Sequence, residues 1–241
     1  MTVHVVALSG GKDSTATALM LREQFPDQPF RYVCTPTGNE PPDWFSHMKA
    51  LQERLRAPIV PLMRPGGLDG LIRQYEALPN WRQRWCTRQL KIETFASYLM
   101  VIAPAVFYVG LRADEEEREG GDYAHVPDVE MRFPLREAGM GLAEVLDFLE
   151  QRQVIVPKRT DCMLGFFQRL IEWYELWRDN PDAYEEGVRY EKLTGYTFRS
   201  PGRDTQPTSL ADLRAKFETG WVPRDTRPDA ISGLKCRVCK W

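Results

Sequence analysis

The N-terminal stretch constrains the fold more than any other part of the chain. An apolar run, Val3–Leu8, leads directly into Ser-Gly-Gly-Lys-Asp-Ser at residues 9–14. Two adjacent glycines let the backbone turn tightly around an anion, the N–H groups of the following helix face the same point, and Lys12 adds positive charge. This order of strand, loop and helix predicts a phosphate-binding loop in an α/β fold. We expect the loop to be exposed at a sheet edge, so that Lys12 contributes charge and not packing.

Two other interpretations of this loop have to be weighed. A Walker loop places four residues between its first glycine and the Gly-Lys pair, and residues 9–14 do not have that spacing. An ordinary Gly-Gly turn before a surface helix has the same short pattern. The choice between a phosphate loop and a plain turn therefore depends on the rest of the chain.

Composition limits the class of protein. The 241 residues, of which 43% are hydrophobic and 27% charged, suffice for one α/β domain and an appendage. With a net charge of −2, the chain has no overall positive potential that would attract nucleic acid. The chain has no secretion signal and no apolar run of membrane-spanning length, so we expect a soluble, cytoplasmic protein without a membrane partner. Five cysteines, an odd number, favour metal or redox use over a disulfide framework.

Alternating strands and helices follow the loop. We predict strands over residues 30–34, 58–62 and 106–109, and helices over 15–24, 44–55, 68–78, 142–150, 182–193 and 210–217. A further helix, rich in aromatic residues, is predicted to carry Trp173, Tyr174 and Trp177 and to end near Asn180. The βαβα alternation predicts a Rossmann-like (HUP-type) parallel sheet with helices on both faces, which binds its ligands at the carboxyl ends of the strands. From Pro157 the chain becomes aromatic-rich and then irregular. We therefore predict an α/β domain over 1–156 and a helical, cysteine-bearing extension over 157–241.

Four motifs resemble one superfamily. The loop at 9–14 resembles the PP-loop of the adenine nucleotide alpha hydrolases, which include ATP pyrophosphatases, tRNA and DNA thiolation enzymes and PAPS reductases. Residues 37–40, Thr-Gly-Asn-Glu, resemble the Thr-Gly-x-Glu turn of the sulfonucleotide reductases. Residues 85–91 resemble the Trp-Cys-Thr-x-x-Leu-Lys segment of PAPS-reductase-like and DNA phosphorothioation enzymes. Residues 110–118 match Gly-x-Arg-x-x-Glu-x-x-Arg through Gly110, Arg112, Glu115 and Arg118.

The resemblance implies a site for ATP or a related adenine nucleotide, with Mg²⁺. The residues that it implies for nucleotide binding are Ser9, Gly10, Gly11, Lys12, Asp13, Ser14, Thr37, Gly38, Gly110, Arg112 and Arg118. The catalytic residues are predicted to be Lys12, Asp13 and Arg112. Lys12 and the loop amides would neutralise the charge on a departing pyrophosphate. Arg112, at a strand end, is suited to clamp a phosphate or sulfate through two N–H groups.

The cysteines fall into two groups. Cys34 lies in an apolar strand and is predicted to be a buried, unreactive thiol. The others lie in irregular or helix-start segments and are Cys86, Cys162, Cys236 and Cys239. Four thiolates suit zinc or a [4Fe–4S] cluster, and unrelated thiols are the third alternative. The resemblance to DNA phosphorothioation enzymes favours the cluster as the link between tail and core, although Gly165 replaces the second cysteine of a Cys-x-x-Cys pair that relatives often carry.

Three functions remain open. The favoured function is nucleotide-activating sulfur transfer, with a cysteine desulfurase as a candidate sulfur donor. The alternative of a PAPS or APS reductase lacks its expected Glu-Cys-Gly-x-His tail and adjacent Cys-Cys pair, and a zinc-stabilised, non-enzymatic nucleotide-binding subunit is the third. A nucleic-acid acceptor is suggested by aromatic and basic residues that also suit packing around a cluster: Trp81, Arg82, Arg84, Trp85 and Arg88.

Overall fold

A computed structural model of the chain describes residues 2–121 and 123–225. Within this part of the chain, one sheet has the strand order β3-β2-β1-β4-β5, and all of its neighbouring strands are parallel. Its strands are β1 (Val3–Leu8), β2 (Phe30–Cys34), β3 (Ile59–Pro61), β4 (Ala105–Tyr108) and β5 (Val129–Arg132). The predicted α/β class and parallel sheet are confirmed.

The helices connect and cover these strands. They are α1 (Lys12–Gln24), α2 (Pro42–Leu55), α3 (Gly67–Tyr75), α4 (Trp85–Thr87), α5 (Glu93–Ile102), α6 (Pro134–Glu137), α7 (Leu142–Gln151), α8 (Leu170–Asp179), α9 (Pro181–Thr194) and α10 (Leu210–Glu218). A π-helical turn, Arg88–Ile92, joins α4 to α5. No helix among the described residues is both long enough and apolar enough to cross a lipid bilayer.

Helices cover both faces of the sheet, as predicted. Alternate β1 residues Val6 and Leu8 belong to a core shared with α1, α2 and α7. Val5, on the opposite face of the same strand, packs in a second core with Phe107 and with Leu99 of α5. Burial on both faces explains why β1 is a continuous apolar run and does not alternate with polar residues.

The chain divides into two compact units. Among the described residues, the first comprises the chain up to Arg64 together with Arg88–Thr160, and it contains the sheet. Within the same described ranges, the second comprises Pro65–Thr87 and residues 161–225. The predicted boundary after residue 156 lies four residues from the change of unit at Thr160. Pro65–Thr87, which the sequence-based prediction assigns to the α/β domain, belongs to the second unit.

The second unit has an aromatic core of its own. Trp173 of α8 and Tyr184 of α9 are fully buried and meet edge to face. The Tyr184 hydroxyl donates a 2.7 Å hydrogen bond to the carbonyl of Leu210, which begins α10. The Tyr190 hydroxyl of α9 donates to a carboxylate oxygen of Asp69 at 2.8 Å. This bond links α3 to α9 within the second unit.

Among the elements without a counterpart in the sequence-based prediction are a helix and a strand of the sheet-containing unit. The helix α5 contains Phe95, Leu99, Val101 and other apolar residues around most of its circumference, so it shows little helical periodicity. The strand β5 has four residues, two of them charged, and lies at the sheet edge. Short edge strands carry a weak hydrophobic signal because they bury little surface.

Candidate active site

The glycine-rich loop is shaped by Trp44, the third residue of α2. Gly10 has a φ of +80°, and a Cβ built on it would lie 2.5 Å from the Trp44 indole nitrogen. That nitrogen donates a 2.9 Å hydrogen bond to the carbonyl of Ser9. Glycine is therefore required at position 10 by both backbone conformation and space.

The start of α1 is open toward the loop. Gly11 is its N-cap residue, and no side chain caps the helix. The Ser14 hydroxyl lies 3.1 Å from the Ser9 hydroxyl and donates to the Gly11 carbonyl at 3.1 Å. The two serines thus brace the loop, while the N-terminal N–H groups of a helix without a side-chain cap are suited to an anion.

Lys12 and Asp13 do not lie on an exposed loop. Their exposed fractions are 6% and 9%, and the Lys12 ammonium lies 3.3 Å from an Asp13 carboxylate oxygen. The expectation that the loop is exposed is therefore wrong for these residues, because α1 begins at Lys12 and packs directly on the sheet. Lys12 contributes packing through its aliphatic stem as well as charge.

A chain of ion pairs continues from Asp13 into the loop after β4. One Arg112 nitrogen donates to both Asp13 carboxylate oxygens, at 3.0 and 3.1 Å. Its Nε donates to Asp114 at 2.8 Å, and its remaining nitrogen lies 3.5 Å from Glu115. Glu115 accepts in turn from Arg118 at 2.9 Å. The alternating cluster consists of Lys12, Asp13, Arg112, Asp114, Glu115 and Arg118, three cations and three anions.

Arg112 is almost completely buried, with 1% exposure. Burial by itself lowers the pKa of Arg112, but the carboxylates of Asp114, Asp13 and Glu115 raise it above its usual value. Burial raises the pKa of Asp114, yet the hydrogen bond from Arg112 holds it below its usual value. As placed, Arg112 orients Asp13. Its predicted role as a phosphate clamp stays a prediction, and Arg118, with 15% side-chain exposure, is the more accessible arginine of the motif.

Gly110 explains how the two loops come so close. A Cβ at this position would lie 2.9 Å from Asp13 C, Asp13 O and Ser14 N, all backbone atoms at the start of α1. Gly110 follows β4, which is paired directly with β1. Both loops therefore leave the same edge of the sheet, as parallel strands require, and only glycine fits between them.

The turn after β2 is held by Glu40, a buried residue. Its carboxylate accepts from the Thr37 amide at 2.6 Å, the Thr37 hydroxyl at 2.7 Å and the Gly38 amide at 3.0 Å. The glutamate of the Thr-Gly-x-Glu pattern is thus the residue that shapes the turn, and α2 with Trp44 follows it.

Three side chains that shape this region were not recognised from sequence. Trp44 fixes the loop. Buried His47 contacts the hydroxyl of Thr15, in the first turn of α1, at 3.0 Å. Arg136 donates to the carbonyls of Glu115 at 2.8 Å and Arg118 at 2.9 Å. None belongs to a motif with local spacing, and only the helical placement of Trp44 was predictable.

The cysteines are placed as follows. Cys34 is buried; burial, with a smaller contribution from Glu40, raises its pKa to about 12, which fits an unreactive thiol. Cys86 and Cys162 are both half-buried and both belong to the second compact unit. Cys236 and Cys239 lie outside the described residues. Within the described ranges, no group of three or more His, Cys, Asp or Glu residues could hold a metal ion.

The turn that carries Cys162 also explains Gly165. A Cβ at residue 165 would lie 3.2 Å from the Cys162 carbonyl oxygen, tighter than ordinary contacts. A second cysteine at this position would require the Cys162 carbonyl to shift by a few tenths of an ångström. The turn is braced by Gln168, whose side chain donates to the Met163 carbonyl and whose own carbonyl accepts from Arg203 at 3.2 Å.

Comparison with known proteins identifies the fold independently. The profile of a family described as the phosphoadenosine phosphosulfate reductase domain matches residues 3–126. The chain is similar to the phosphoadenylyl-sulfate (PAPS) reductase of Candida auris, solved as a phosphate complex, with 10% identity, a TM-score of 0.51, and coverage of 65% of this chain and 75% of that one. It is also similar to the U34-tRNA thiolase NcsA of Methanococcus maripaludis with its [4Fe-4S] cluster, with 16% identity, a TM-score of 0.51, and coverage of 88% and 80%. No curated protein sequence matches the chain.

Proposed function

Because the chain belongs to the phosphoadenosine phosphosulfate reductase domain family, we propose that it binds an adenine nucleotide at residues 9–14 and activates it for sulfur transfer. The main support for this proposal is the structure at the start of α1. This helix has no side-chain cap, and the buried Lys12 lies in its first turn. A helix N-terminus beside a lysine is suited to the phosphates of a nucleotide. The resemblance of the surrounding motifs to PP-loop enzymes supports ATP as that nucleotide.

The ion-pair cluster suggests how charge is managed when the nucleotide binds. Lys12 shares Asp13 with Arg112. A phosphate at the loop would draw the Lys12 ammonium away from Asp13, while Arg112 keeps that carboxylate neutralised. Lys12 can therefore bind a phosphate without leaving the Asp13 carboxylate buried and unpaired, which would destabilise the folded protein.

In the proposed reaction, an acceptor oxygen attacks the α-phosphorus of ATP. The new O–P bond forms as the bond between the α-phosphorus and the oxygen that bridges it to the β-phosphorus breaks, and pyrophosphate leaves. Mg²⁺ bound to the nucleotide would offset part of its negative charge. Lys12 and the N–H groups at the start of α1 meet the negative charge that develops on the leaving group. A sulfide-level sulfur nucleophile then attacks the acceptor atom that carries the adenylylated oxygen, and the new bond to sulfur forms as the bond to that oxygen breaks and AMP leaves. Persulfide sulfur from a cysteine desulfurase reaches this level by two-electron reduction with a thiol, which is oxidised to a disulfide.

We propose that Cys86 and Cys162, with Cys236 and Cys239, hold a [4Fe–4S] cluster. Thiolate ligands suit such a cluster, and the two described cysteines lie in one compact unit, half-buried and outside strands. Arg84 lies over the ring of Phe167 at 5.7 Å and so joins the segments that carry Cys86 and Cys162. When bound, the cluster would supply an iron site able to carry sulfur, delivered by a cysteine desulfurase.

The acceptor that we favour is a nucleic acid. Trp81 is 54% exposed, and the Arg82 guanidinium lies 4.7 Å from its ring centroid. An exposed aromatic ring beside a cation suits base stacking and phosphate contact at once. The solved structure of a tRNA thiolase with a similar fold supports this choice.

Sulfonucleotide reduction is the second candidate, because the family itself is described by that reaction. A reductase needs an accessible thiolate to attack the sulfur of PAPS or APS. Cys34, with its pKa near 12, is unsuited to that role. If the other four cysteines ligate a cluster, none of them is available to cycle between thiol and disulfide.

One experiment separates these functions. Protein prepared without oxygen is analysed for iron and zinc and then incubated with ATP, PAPS or APS and a thiol reductant, with and without RNA or DNA. We expect iron, and pyrophosphate from ATP that depends on added nucleic acid. Sulfite from PAPS or APS at catalytic rates would establish the reductase instead. Stoichiometric zinc, without sulfite or pyrophosphate, would favour the non-enzymatic subunit.

A further inference from the structure

The segment that follows α7 returns to the glycine-rich loop and is fixed there by α2. Arg54 donates to the carbonyls of Arg152 at 2.8 Å and Gln153 at 3.0 Å. The His47 Nδ1 atom lies 3.0 Å from the carbonyl oxygen of Ile155. Two side chains of one helix therefore set the path of the backbone that leads to Thr160.

His47 connects this segment to the first turn of α1. A carbonyl only accepts, so Nδ1 carries the proton and donates to Ile155, which leaves Nε2 to accept from the Thr15 hydroxyl at 3.0 Å. Burial lowers the pKa of His47 and so favours this neutral form. The returning segment and the start of α1 are thereby held by the same imidazole ring.

Thr160 ends the segment directly beside the loop. Its hydroxyl oxygen lies 3.3 Å from the position that a Cβ would take on Gly11, the N-cap residue of α1. Within residues 2–121 and 123–225, no hydrogen bond engages this hydroxyl. In the part of the chain that the structure describes, a hydroxyl that no hydrogen bond engages therefore lies next to a helix start without a side-chain cap.

We propose that Thr160 is an anion-binding residue of the nucleotide site, whose hydroxyl donates to a phosphate oxygen seated at the start of α1. The inference rests on the proposed function, because it assumes that the loop takes a phosphate chain. It adds a contact from a segment nearly 150 positions further along the chain. The chemistry that Thr160 recognises is the phosphate group, not the adenine base.

The test compares variants that separate the hydroxyl from packing. Thr160→Val keeps the volume but loses the donor, and Thr160→Ser keeps the donor. Calorimetric titration of the full chain uses ATP with Mg²⁺ and inorganic pyrophosphate. We expect Thr160→Val to bind both about tenfold more weakly or worse, the size of a lost hydrogen bond to a charged group, and Thr160→Ser to bind within about threefold of the unaltered protein. Thr205→Val, the same change at an exposed threonine of the second unit, should leave both affinities unchanged.

The outcomes distinguish this inference from the proposed function. If the unaltered protein binds neither ATP nor pyrophosphate, the proposed nucleotide site is refuted, and the proposed role of Thr160 is refuted as well. If the unaltered protein binds and Thr160→Val binds equally well, only the role of Thr160 is refuted. Equal losses in Thr160→Val and Thr160→Ser would show a packing effect and also refute it. Should Thr160→Val fail to fold, the pair Thr160→Ala and Thr160→Ser makes the same comparison.

Discussion

Substituting Gly110 by alanine tests the close approach on which the site depends. The new Cβ would lie 2.9 Å from three backbone atoms at the start of α1. Carbon atoms pack best at about 3.5–4.0 Å, so the end of β4 and the start of α1 would have to separate by roughly 0.5 Å or more. Gly110 is not among the glycines with positive φ, so the backbone itself accepts alanine and the effect is one of space.

The expected cost follows from the rigidity of both sides. The amide of Val109, next to Gly110, donates to the Arg132 carbonyl at 3.0 Å, so the strand end cannot move without disturbing β5. Overpacking of this kind costs about 1–3 kcal/mol. For a chain of this length, each kcal/mol lowers the melting temperature by about 2–4 °C. Because Arg112 and its bonds to Asp13 would move with the strand end, ATP affinity should also fall, about tenfold for each 1.4 kcal/mol transferred to the site.

The assay is thermal unfolding together with calorimetric titration of ATP and Mg²⁺. Gly70→Ala is the matched control, because Gly70 lies inside α3 and its new Cβ would meet the Pro65 carbonyl at an ordinary 3.6 Å. This control should raise stability by about 0.4–1 kcal/mol through helix propensity and loss of unfolded-state entropy. Unchanged stability and ATP affinity in Gly110→Ala would show that the two loops can separate freely, which contradicts the reasoning. A loss of stability and ATP affinity in Gly70→Ala as large as in Gly110→Ala would show that the effect is not specific to the contact at Gly110.

Three further predictions concern charge, metal and pH. Lys12→Ala should weaken ATP binding at least tenfold and cost about 1–2 kcal/mol of stability through its buried stem; unchanged ATP affinity and pyrophosphate release would oppose the phosphate-loop assignment. Cys34→Ser should keep the iron content of anaerobically prepared protein, whereas Cys86→Ser or Cys162→Ser should reduce it sharply, and a requirement for Cys34 would contradict the ligand set. Burial raises the pKa of Glu191 to about 7, although it accepts two backbone N–H bonds, so the folded state keeps a proton that the unfolded state loses above its ordinary pKa of 4.5. The stability that this group contributes is therefore lost as the pH rises from about 4.5 to 7. The free energy of unfolding in urea of Glu191→Gln, relative to that of the unaltered protein, should therefore be higher at pH 8 than at pH 5. A difference between the two proteins that does not change with pH would refute this prediction.

Local patterns in the sequence determined most of the α/β scaffold. The apolar run of β1, the adjacent glycines and the apolar start of α1 predict a strand, loop and helix without reference to any distant residue. The alternation that follows predicts a parallel sheet with ligands at one edge, because parallel strands need crossover helices. Gly110 and Arg112 were also placed correctly at a strand end, since the signal for β4 is local.

Only the tertiary structure decided what these residues touch. Asp13 and Arg112 are 99 positions apart, and His47 and Ile155 are 108 apart, so no local pattern encodes their pairing. Lys12 is buried because α1 packs on the sheet from its first residue, which a glycine-rich sequence does not reveal. Tyr190 and Asp69, both in the second unit, are likewise hydrogen-bonded across 121 positions. Sequence patterns report the local periodicity of burial, whereas a site is made by side chains that the fold brings together from distant parts of the chain.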